Sequence, residues 1–170
     1  FFINDNEWLS KTTFDNEFRD PYLAHAPIEN HSATAVFEGQ KLKIWASSQT
    51  PYPTREEVAE ALNMEVKDVH LMQIFIGGGF GGKTSNPQAV EAARLAKLSG
   101  KPVQLVYSRQ EEFMFDWLRP AAVVKIRSGL DKSGNISFWD YNMYLGGTRG
   151  GRHFYDIPNH LSRAYNVPEG

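Results

Sequence analysis

The sequence predicts an α+β domain in which helices pack on a mixed β-sheet. Three observations support this class: two hairpin-like patterns of alternating apolar and polar residues, an apolar run that leads into a glycine-rich loop, and segments with helical periodicity. In chain order they give ββ-α-β-α-β-(α)-ββ, followed by an irregular C-terminal tail at 146–170. The 170 residues, 41% hydrophobic and 22% charged, suit one soluble core, so we expect a single subdomain over residues 1–170.

A β-hairpin opens the predicted sheet. Apolar and polar residues alternate over Thr34–Glu38 and over Lys41–Ser47, with a short turn between them. The residues before this hairpin show no sustained period, so we predict no regular structure over 1–30. The first helix is expected to begin at Thr54, because Thr54 and Glu57 have the spacing of a capping box.

The middle of the chain predicts a buried strand and a second helix. Val69–Ile76 is mostly apolar on both faces, which is typical of a central strand that is covered on both sides. Asn86 stands directly before a proline, which predicts a helix start, and Gly100 is typical of a helix end. We therefore expect a helix over Pro87–Ser99.

A third strand, a short helix and a long hairpin complete the periodic part. The strand is predicted at Pro102–Ser108 and the short helix at Arg109–Asp116. Ala121–Leu130 and Ile136–Leu145 form the hairpin across a polar turn that contains glycine. Beyond residue 145 the period disappears while apolar residues continue, so we expect the tail at 146–170 to require a surface from outside this chain.

Composition excludes several classes of function. The chain carries 18 basic and 20 acidic residues, so its net charge does not indicate nucleic-acid binding. It contains no run of about 18 apolar residues, so no transmembrane segment is predicted. The absence of cysteine excludes disulfides and cysteine-ligated iron–sulfur clusters within this chain. The chain begins with Phe1 and shows no signal-like segment, so we expect it to be a piece of a longer protein.

The segment Gly77–Lys83 carries the main functional signal, because five of its seven residues are glycine. Such density indicates that the main chain approaches a ligand or a neighbour closely, and bare amides can bind anionic or oxo groups. Gly77–Thr84 fits the P-loop pattern of a nucleotide-binding domain, although the predicted helix begins after the lysine rather than at it. A dinucleotide motif is disfavoured, since no acidic residue ends Pro102–Ser108. An interaction module whose loop is only a turn is the third alternative.

The sequence around this loop resembles the molybdenum hydroxylases, the xanthine dehydrogenase and aldehyde oxidase family. The resemblance covers nearly all of residues 20–170. It is carried, in order, by Pro21–Asn30, Trp45–Pro51, Phe75–Lys83, Glu91–Glu112 and Gly129–Ile136. The version His-Ala-Pro-Ile-Glu at His25–Glu29 most resembles the large (beta) subunit of isoquinoline 1-oxidoreductase-like enzymes.

This resemblance implies a fragment of a molybdopterin-binding domain. The implied cofactor is molybdenum–molybdopterin in its cytosine dinucleotide form, and its implied contacts are Gly78, Gly79, Phe80, Gly81 and Gly82. The full enzyme would hydroxylate N-heteroaromatic, isoquinoline-like substrates or aldehydes with oxygen from water. It would need the remainder of the large subunit and a small partner subunit with iron–sulfur clusters. The family's catalytic glutamate has no counterpart here, so we assign no catalytic or metal-ligating residue and expect the fragment alone to be inactive and cofactor-free. Bacterial periplasm and cytoplasm both stay open as its location.

Side chains around the loop are predicted to be mainly structural. Gln49 is expected to be a buried amide that satisfies loop backbone, and His25 and Glu29 are expected to be hydrogen-bonded within their turn. Lys83 has three possible roles: a charge next to phosphate, a structural ion pair, or a donor to a carbonyl. Thr84 stands where xanthine-type enzymes often carry a glutamate that orients substrate, which argues against a purine handled in that way.

Overall fold

A computed structural model describes residues 12–146, 151 and 153–165 of the chain. It confirms the α+β class, with helices and mixed sheets. In chain order the strands are β1 (Thr12–Asp20), β2 (Leu23–Ala24), β3 (Ser32–Glu38), β4 (Lys41–Ala46), β5 (Val69–Gln73), β6 (Val103–Val106), β7 (Leu118–Arg119), β8 (Ala122–Leu130), β9 (Ile136–Leu145) and β10 (His160–Tyr165). The α-helices are α1 (Pro51–Leu62), α2 (Pro87–Ser99) and α3 (Arg109–Phe115). The sequence predicts a single subdomain, whereas the structure divides into two compact units, Ala24–Leu118 and the combination of Phe1–Leu23 with Arg119–Gly170.

The unit Ala24–Leu118 is built on a four-stranded sheet of order β5-β4-β3-β6. β3 runs antiparallel to β4 and β6, and the predicted hairpin of β3 and β4 is confirmed. β4 and β5 are parallel, so the chain needs a crossover between them, which α1 provides. The core lies between this sheet and the two longer helices. Its buried members are Ala33, Ala35, Leu42, Ile44, Ala46, Val58, Ala59, Leu62, Val69, Ala89, Ala92, Ala93 and Ala96.

Both longer helices begin at a proline. α1 begins at Pro51, earlier than predicted, because proline suits the first helical position, where an N–H would have no acceptor. The predicted capping box is therefore wrong: Thr54 lies inside the helix, and its hydroxyl donates to the carbonyl of Thr50 at 2.8 Å. α2 spans the predicted residues, and Gly100 ends it in the left-handed conformation at φ +64°.

β5 differs from its prediction in both length and position. The ladder ends at Gln73, and β5 is an edge strand rather than a central one. Within β5 only Val69 is buried, and Phe75, just beyond the ladder, is fully exposed at 105%. A strand with apolar residues on both faces is typical of the centre of a sheet, but the pattern does not say which strands lie beside it. The sequence therefore did not predict the edge position of β5.

The other unit contains a four-stranded sheet of order β1-β8-β9-β10. β8 and β9 form the predicted hairpin, whose turn is held by Asp131, since its carboxylate accepts the N–H groups of Ser133 and Asn135 at 2.8 and 2.9 Å. β1 pairs antiparallel with β8, and β10 pairs parallel with β9. The expectation of irregular structure is thus wrong for residues 12–20 and 160–165. Among the residues that the structure describes, no helix has the length and apolar character needed to cross a membrane.

Candidate functional site

The glycine loop, residues 77–82, lies in the unit Ala24–Leu118 between β5 and α2. It turns tightly on itself, because the N–H of Gly82 donates to the carbonyl of Gly79 at 2.8 Å and a 3₁₀ turn follows at Gly82–Thr84. Phe80 and Gly81 both have positive φ angles, +54° and +111°. A φ of +111° strains any residue with a side chain, so the turn requires glycine at position 81.

Two further glycines are required by close approach of other side chains. A Cβ atom on Gly79 would lie 2.4 Å from Oε1 of Gln49, and one on Gly82 would lie 2.8 Å from Oδ2 of Asp116. Both distances are shorter than real Cβ contacts, so a side chain at either position would displace its neighbour. The loop is therefore packed from two sides by residues that are distant in sequence.

Gln49 holds the loop through its amide and its backbone. Its Oε1 accepts the N–H of Gly81 at 3.0 Å, and its own N–H donates to the carbonyl of Lys83 at 2.8 Å. This agrees with the structural role predicted for Gln49, although the residue is exposed rather than buried. The next residue, Thr50, adds a hydrogen bond from its hydroxyl to the carbonyl of Thr84 at 2.9 Å.

Lys83 forms an ion pair with Glu29. The lysine side chain is fully buried, with 0% exposure, and its Nζ lies 2.6 Å from Oε2 of Glu29. The same oxygen accepts the N–H of Gly77 at 2.7 Å. Partial burial opposes ionisation of Glu29, but the hydrogen bonds from Lys83 and Gly77 outweigh it and hold the pKa of Glu29 below its ordinary value of 4.5. Of the three roles left open for Lys83, the structure therefore shows the ion pair.

These contacts contradict the P-loop interpretation of Gly77–Thr84. A P-loop lysine must reach phosphates, whereas Nζ of Lys83 is buried against Glu29. A P-loop threonine binds Mg²⁺ through its hydroxyl, whereas that of Thr84 donates to the carbonyl of Gly81 at 2.6 Å. The helix that would present its N-terminus to phosphate begins only at Pro87.

Glu112 in α3 and Asp116, the residue directly after α3, each face a histidine, and neither pairing is predicted by the sequence. Oε1 of Glu112 accepts the N–H of His31 and lies 2.7 Å from its Nδ1. Oδ2 of Asp116 lies 3.4 Å from Nδ1 of His25. The pattern Ser-x-x-Glu that starts at Ser108 forms a true capping box and could have located the start of α3, but nothing local could pair acids with histidines so distant in sequence.

Three successive amides of the loop have no protein acceptor. In the part of the chain that the structure describes, the N–H groups of Gly78, Gly79 and Phe80 donate to no backbone or side-chain oxygen. Unpaired amides beside bare glycine Cα atoms suit a ligand whose oxygens come close to the main chain. Over the same described residues, no cluster of three or more His, Asp or Glu is placed to hold a metal ion. The arrangement therefore fits a ligand held through backbone donors.

Residues 7–169 match the sequence model of a family described as the molybdopterin cofactor-binding domain. The chain belongs to this molybdopterin cofactor-binding family. Among curated proteins, it is 33% identical over 138 residues to the aldehyde oxidoreductase molybdenum-binding subunit PaoC of Escherichia coli K12. That match covers 81% of this chain but 19% of PaoC, so the chain spans about a fifth of that relative's length. The resemblance to the molybdenum hydroxylase family is confirmed, and the finer likeness to isoquinoline 1-oxidoreductase stays a prediction.

Solved structures share the fold of this family member. The aldehyde oxidoreductase of Desulfovibrio desulfuricans ATCC 27774 superposes with a TM-score of 0.81 and 20% identity, over 96% of this chain and 20% of that chain. Quinoline 2-oxidoreductase from Pseudomonas putida 86 gives a TM-score of 0.72 and 23% identity, over 79% of this chain and 18% of that chain. At these identities the likeness extends to the fold alone.

Proposed function

We propose that this chain forms one wall of the molybdenum–molybdopterin site of an oxidoreductase. The observation that carries the proposal is the run of unpaired amides at Gly78, Gly79 and Phe80, in a chain of the molybdopterin cofactor-binding family. Phosphate and oxo oxygens are strong hydrogen-bond acceptors, and amide donors that are already in position bind them without a free-energy cost of reorganisation. When bound, the cofactor supplies the redox chemistry that hydroxylates a substrate carbon with oxygen from water.

The five predicted contact residues divide into two roles. Gly78, Gly79 and Phe80 offer their amides to the cofactor. Gly81 and Gly82 shape the loop instead, because the N–H of Gly81 donates to Gln49 and that of Gly82 to the carbonyl of Gly79. We infer that these two residues contribute close approach of the backbone rather than hydrogen bonds.

Phe80 contributes a side chain as well as an amide. Its ring is 75% exposed, and its Cε2 lies 3.1 Å from the position of a Cβ on Gly78, so the ring lies against the loop. An exposed aromatic ring next to unpaired amides excludes water from one side of a bound group, and dry surroundings strengthen the hydrogen bonds of those amides. The proposed function of the ring is therefore to cover the cofactor.

For the whole enzyme we propose aldehydes or isoquinoline-like N-heteroaromatic compounds as substrates. The relative PaoC supports the first class by its name, and the resemblance of His25–Glu29 to isoquinoline 1-oxidoreductase-like enzymes supports the second. Thr84 adds support, since its hydroxyl is bonded to Gly81 and this position presents no carboxylate to a purine. The cytosine dinucleotide form of the cofactor, the remainder of the large subunit and the small iron–sulfur subunit belong to the same proposal. So does the expectation that this chain alone is inactive and cofactor-free.

The experiment is metal analysis of the full-length protein with a matched pair of glycine variants. Gly78 and Gly134 have similar φ angles, +91° and +85°, but only Gly78 lies in the loop, and a Cβ on Gly134 meets nothing within 4 Å. Alanine therefore strains both backbones alike. We expect molybdenum in the wild type, a loss of molybdenum in Gly78→Ala, and wild-type molybdenum content in Gly134→Ala. The rate of dye-linked oxidation of an aldehyde or of isoquinoline should rise and fall with the molybdenum content of each protein. A wild type without molybdenum, or equal losses in both variants, would refute the proposal.

A further inference from the structure

We propose that Glu29 is the residue that positions the loop amides for the cofactor, by joining the two ends of the glycine loop through one carboxylate oxygen. This inference rests on the proposed function, because it assigns a role in cofactor retention. Glu29 itself touches neither the cofactor nor substrate in this proposal. It acts through the loop.

The contacts of Oε2 of Glu29 carry the inference. This oxygen accepts the N–H of Gly77, where the loop begins, at 2.7 Å, and the ammonium of Lys83, just after the loop ends, at 2.6 Å. The N–H of Glu29 also approaches the carbonyl of Gly77 at 3.4 Å. Hydrogen bonds to ionised groups are stronger than neutral ones, so one charged oxygen constrains both ends of the segment that contains the unpaired amides.

Glu29 is itself held in place from the other side. The guanidinium of Arg109, the first residue of α3, donates to the carbonyls of Pro27 at 2.6 Å and Ile28 at 3.1 Å. Pro27 is buried, and the side chain of Glu29 is 32% exposed. A carboxylate on such a fixed turn loses little conformational freedom when it binds the loop, unlike an acid on a mobile surface segment.

The burial of Lys83 makes the loop sensitive to the charge of Glu29. In the described residues, Nζ of Lys83 has Glu29 as its hydrogen-bond partner, and the lysine is 0% exposed. A buried ammonium without a counter-ion is costly, so neutralising Glu29 favours movement of Lys83 toward water, and the end of the loop moves with it. The chain offers a matched control, because Glu38 and Lys43 form an exposed ion pair at 2.8 Å on the β3–β4 hairpin.

The test compares Glu29→Gln, Lys83→Met, the double variant and the control Glu38→Gln in the full-length protein. Two quantities are measured: amide hydrogen exchange of peptides that span 77–84, and molybdenum per polypeptide. We expect Glu29→Gln to speed loop exchange by about tenfold, the effect of losing roughly one charge-assisted hydrogen bond, and to lower molybdenum content. Lys83→Met removes the buried charge and leaves the hydrogen bond from the N–H of Gly77 to Glu29 in place, so its effect on loop exchange and molybdenum content is smaller. The double variant recovers part of the loss seen in Glu29→Gln, and Glu38→Gln matches the wild type.

The outcomes separate this inference from the proposed function. The inference would be overturned if the loop amides of Glu29→Gln exchanged at the same rate as those of the wild type. It would also be overturned if they exchanged faster while the molybdenum content stayed at the wild-type level. If the wild type lacks molybdenum, the proposed function fails, while the exchange measurement still decides whether Glu29 holds the loop. If Glu29→Gln does not fold, Glu29→Asp keeps the charge on a shorter side chain that cannot reach both ends of the loop. Faster loop exchange in Glu29→Asp then supports the inference, and unchanged exchange overturns it.

Discussion

Gly79 lies against the side-chain amide of Gln49, and replacing it with alanine tests how the loop is packed. The new Cβ would lie 2.4 Å from Oε1 of Gln49, so the glutamine must move and its 3.0 Å hydrogen bond with Gly81 is lost. Loss of this bond costs about 1 kcal/mol, and the approach of the new Cβ to within 3.0 Å of Cγ of Gln49 adds about 1 kcal/mol of crowding. We therefore expect Gly79→Ala to lower the free energy of unfolding by about 2 kcal/mol.

The double variant with Gln49→Ala decides whether this reasoning is correct. Gly79 has no positive φ, so alanine is acceptable to its backbone once Gln49 is shortened. Gln49→Ala alone should cost about 1 kcal/mol, and adding Gly79→Ala to it should then cost nothing or stabilise by about 0.5 kcal/mol, because the unfolded chain becomes stiffer. Urea denaturation of the four proteins gives the coupling energy, which we expect to be about 2 kcal/mol. Gly39→Ala is the control for coupling: its φ of +63° gives alanine a cost of its own, but nothing lies near its Cβ position, so that cost should be the same with and without Gln49→Ala. An equal cost of Gly79→Ala in both backgrounds would refute the packing argument.

Three further predictions follow from the buried pairs. Glu112→Ala should lower the free energy of unfolding by about 3 kcal/mol, because it leaves buried His31 without its acceptor, and a loss below about 1 kcal/mol in urea denaturation would contradict this. The lowered pKa of Glu29 means that its carboxylate stabilises the fold fully above pH 4.5, and that this contribution disappears as the pH falls through the lower folded value. The difference in unfolding free energy between wild type and Glu29→Gln should therefore shrink below pH 4.5, and a constant difference would argue against the ion pair. Millimolar Mg-ATP should leave the thermal midpoint unchanged, because Lys83 is bound to Glu29, whereas a rise abolished by Lys83→Met would restore the nucleotide-binding interpretation.

Elements whose signals lie close together in sequence were predicted well. α2 has its start, its end and its buried alanines within a single segment, and the structure matches the predicted bounds Pro87–Ser99. The two hairpins likewise depend on alternation and a nearby turn, and both are present. Thr54 shows the limit of this approach. A capping-box pattern was present there, but the preceding proline at position 51 already began the helix.

Strand positions in the sheets could not be obtained in the same way. β1 and β10 have weak patterns of their own and depend on pairing with β8 and β9. The apolar run at Val69–Ile76 correctly indicated a strand, but a strand becomes central or edge only through its neighbours, and β5 has β4 on one side alone among the described strands. Pairing partners distant in sequence leave no local signal.

The amino-acid sequence by itself determined the α+β class, the hairpins, α2, the place of the glycine loop and the likeness to molybdenum hydroxylases. Each of these depends on residues close together or on a long ordered match. Only the tertiary structure decided that Lys83 pairs with Glu29 rather than with a phosphate, that Gln49 and Asp116 crowd the glycines, and that three loop amides lack an acceptor. The physical reason is that hydrogen bonds, ion pairs and close contacts act over a few ångströms of space, and the fold alone brings residue 29 next to residues 77 and 83.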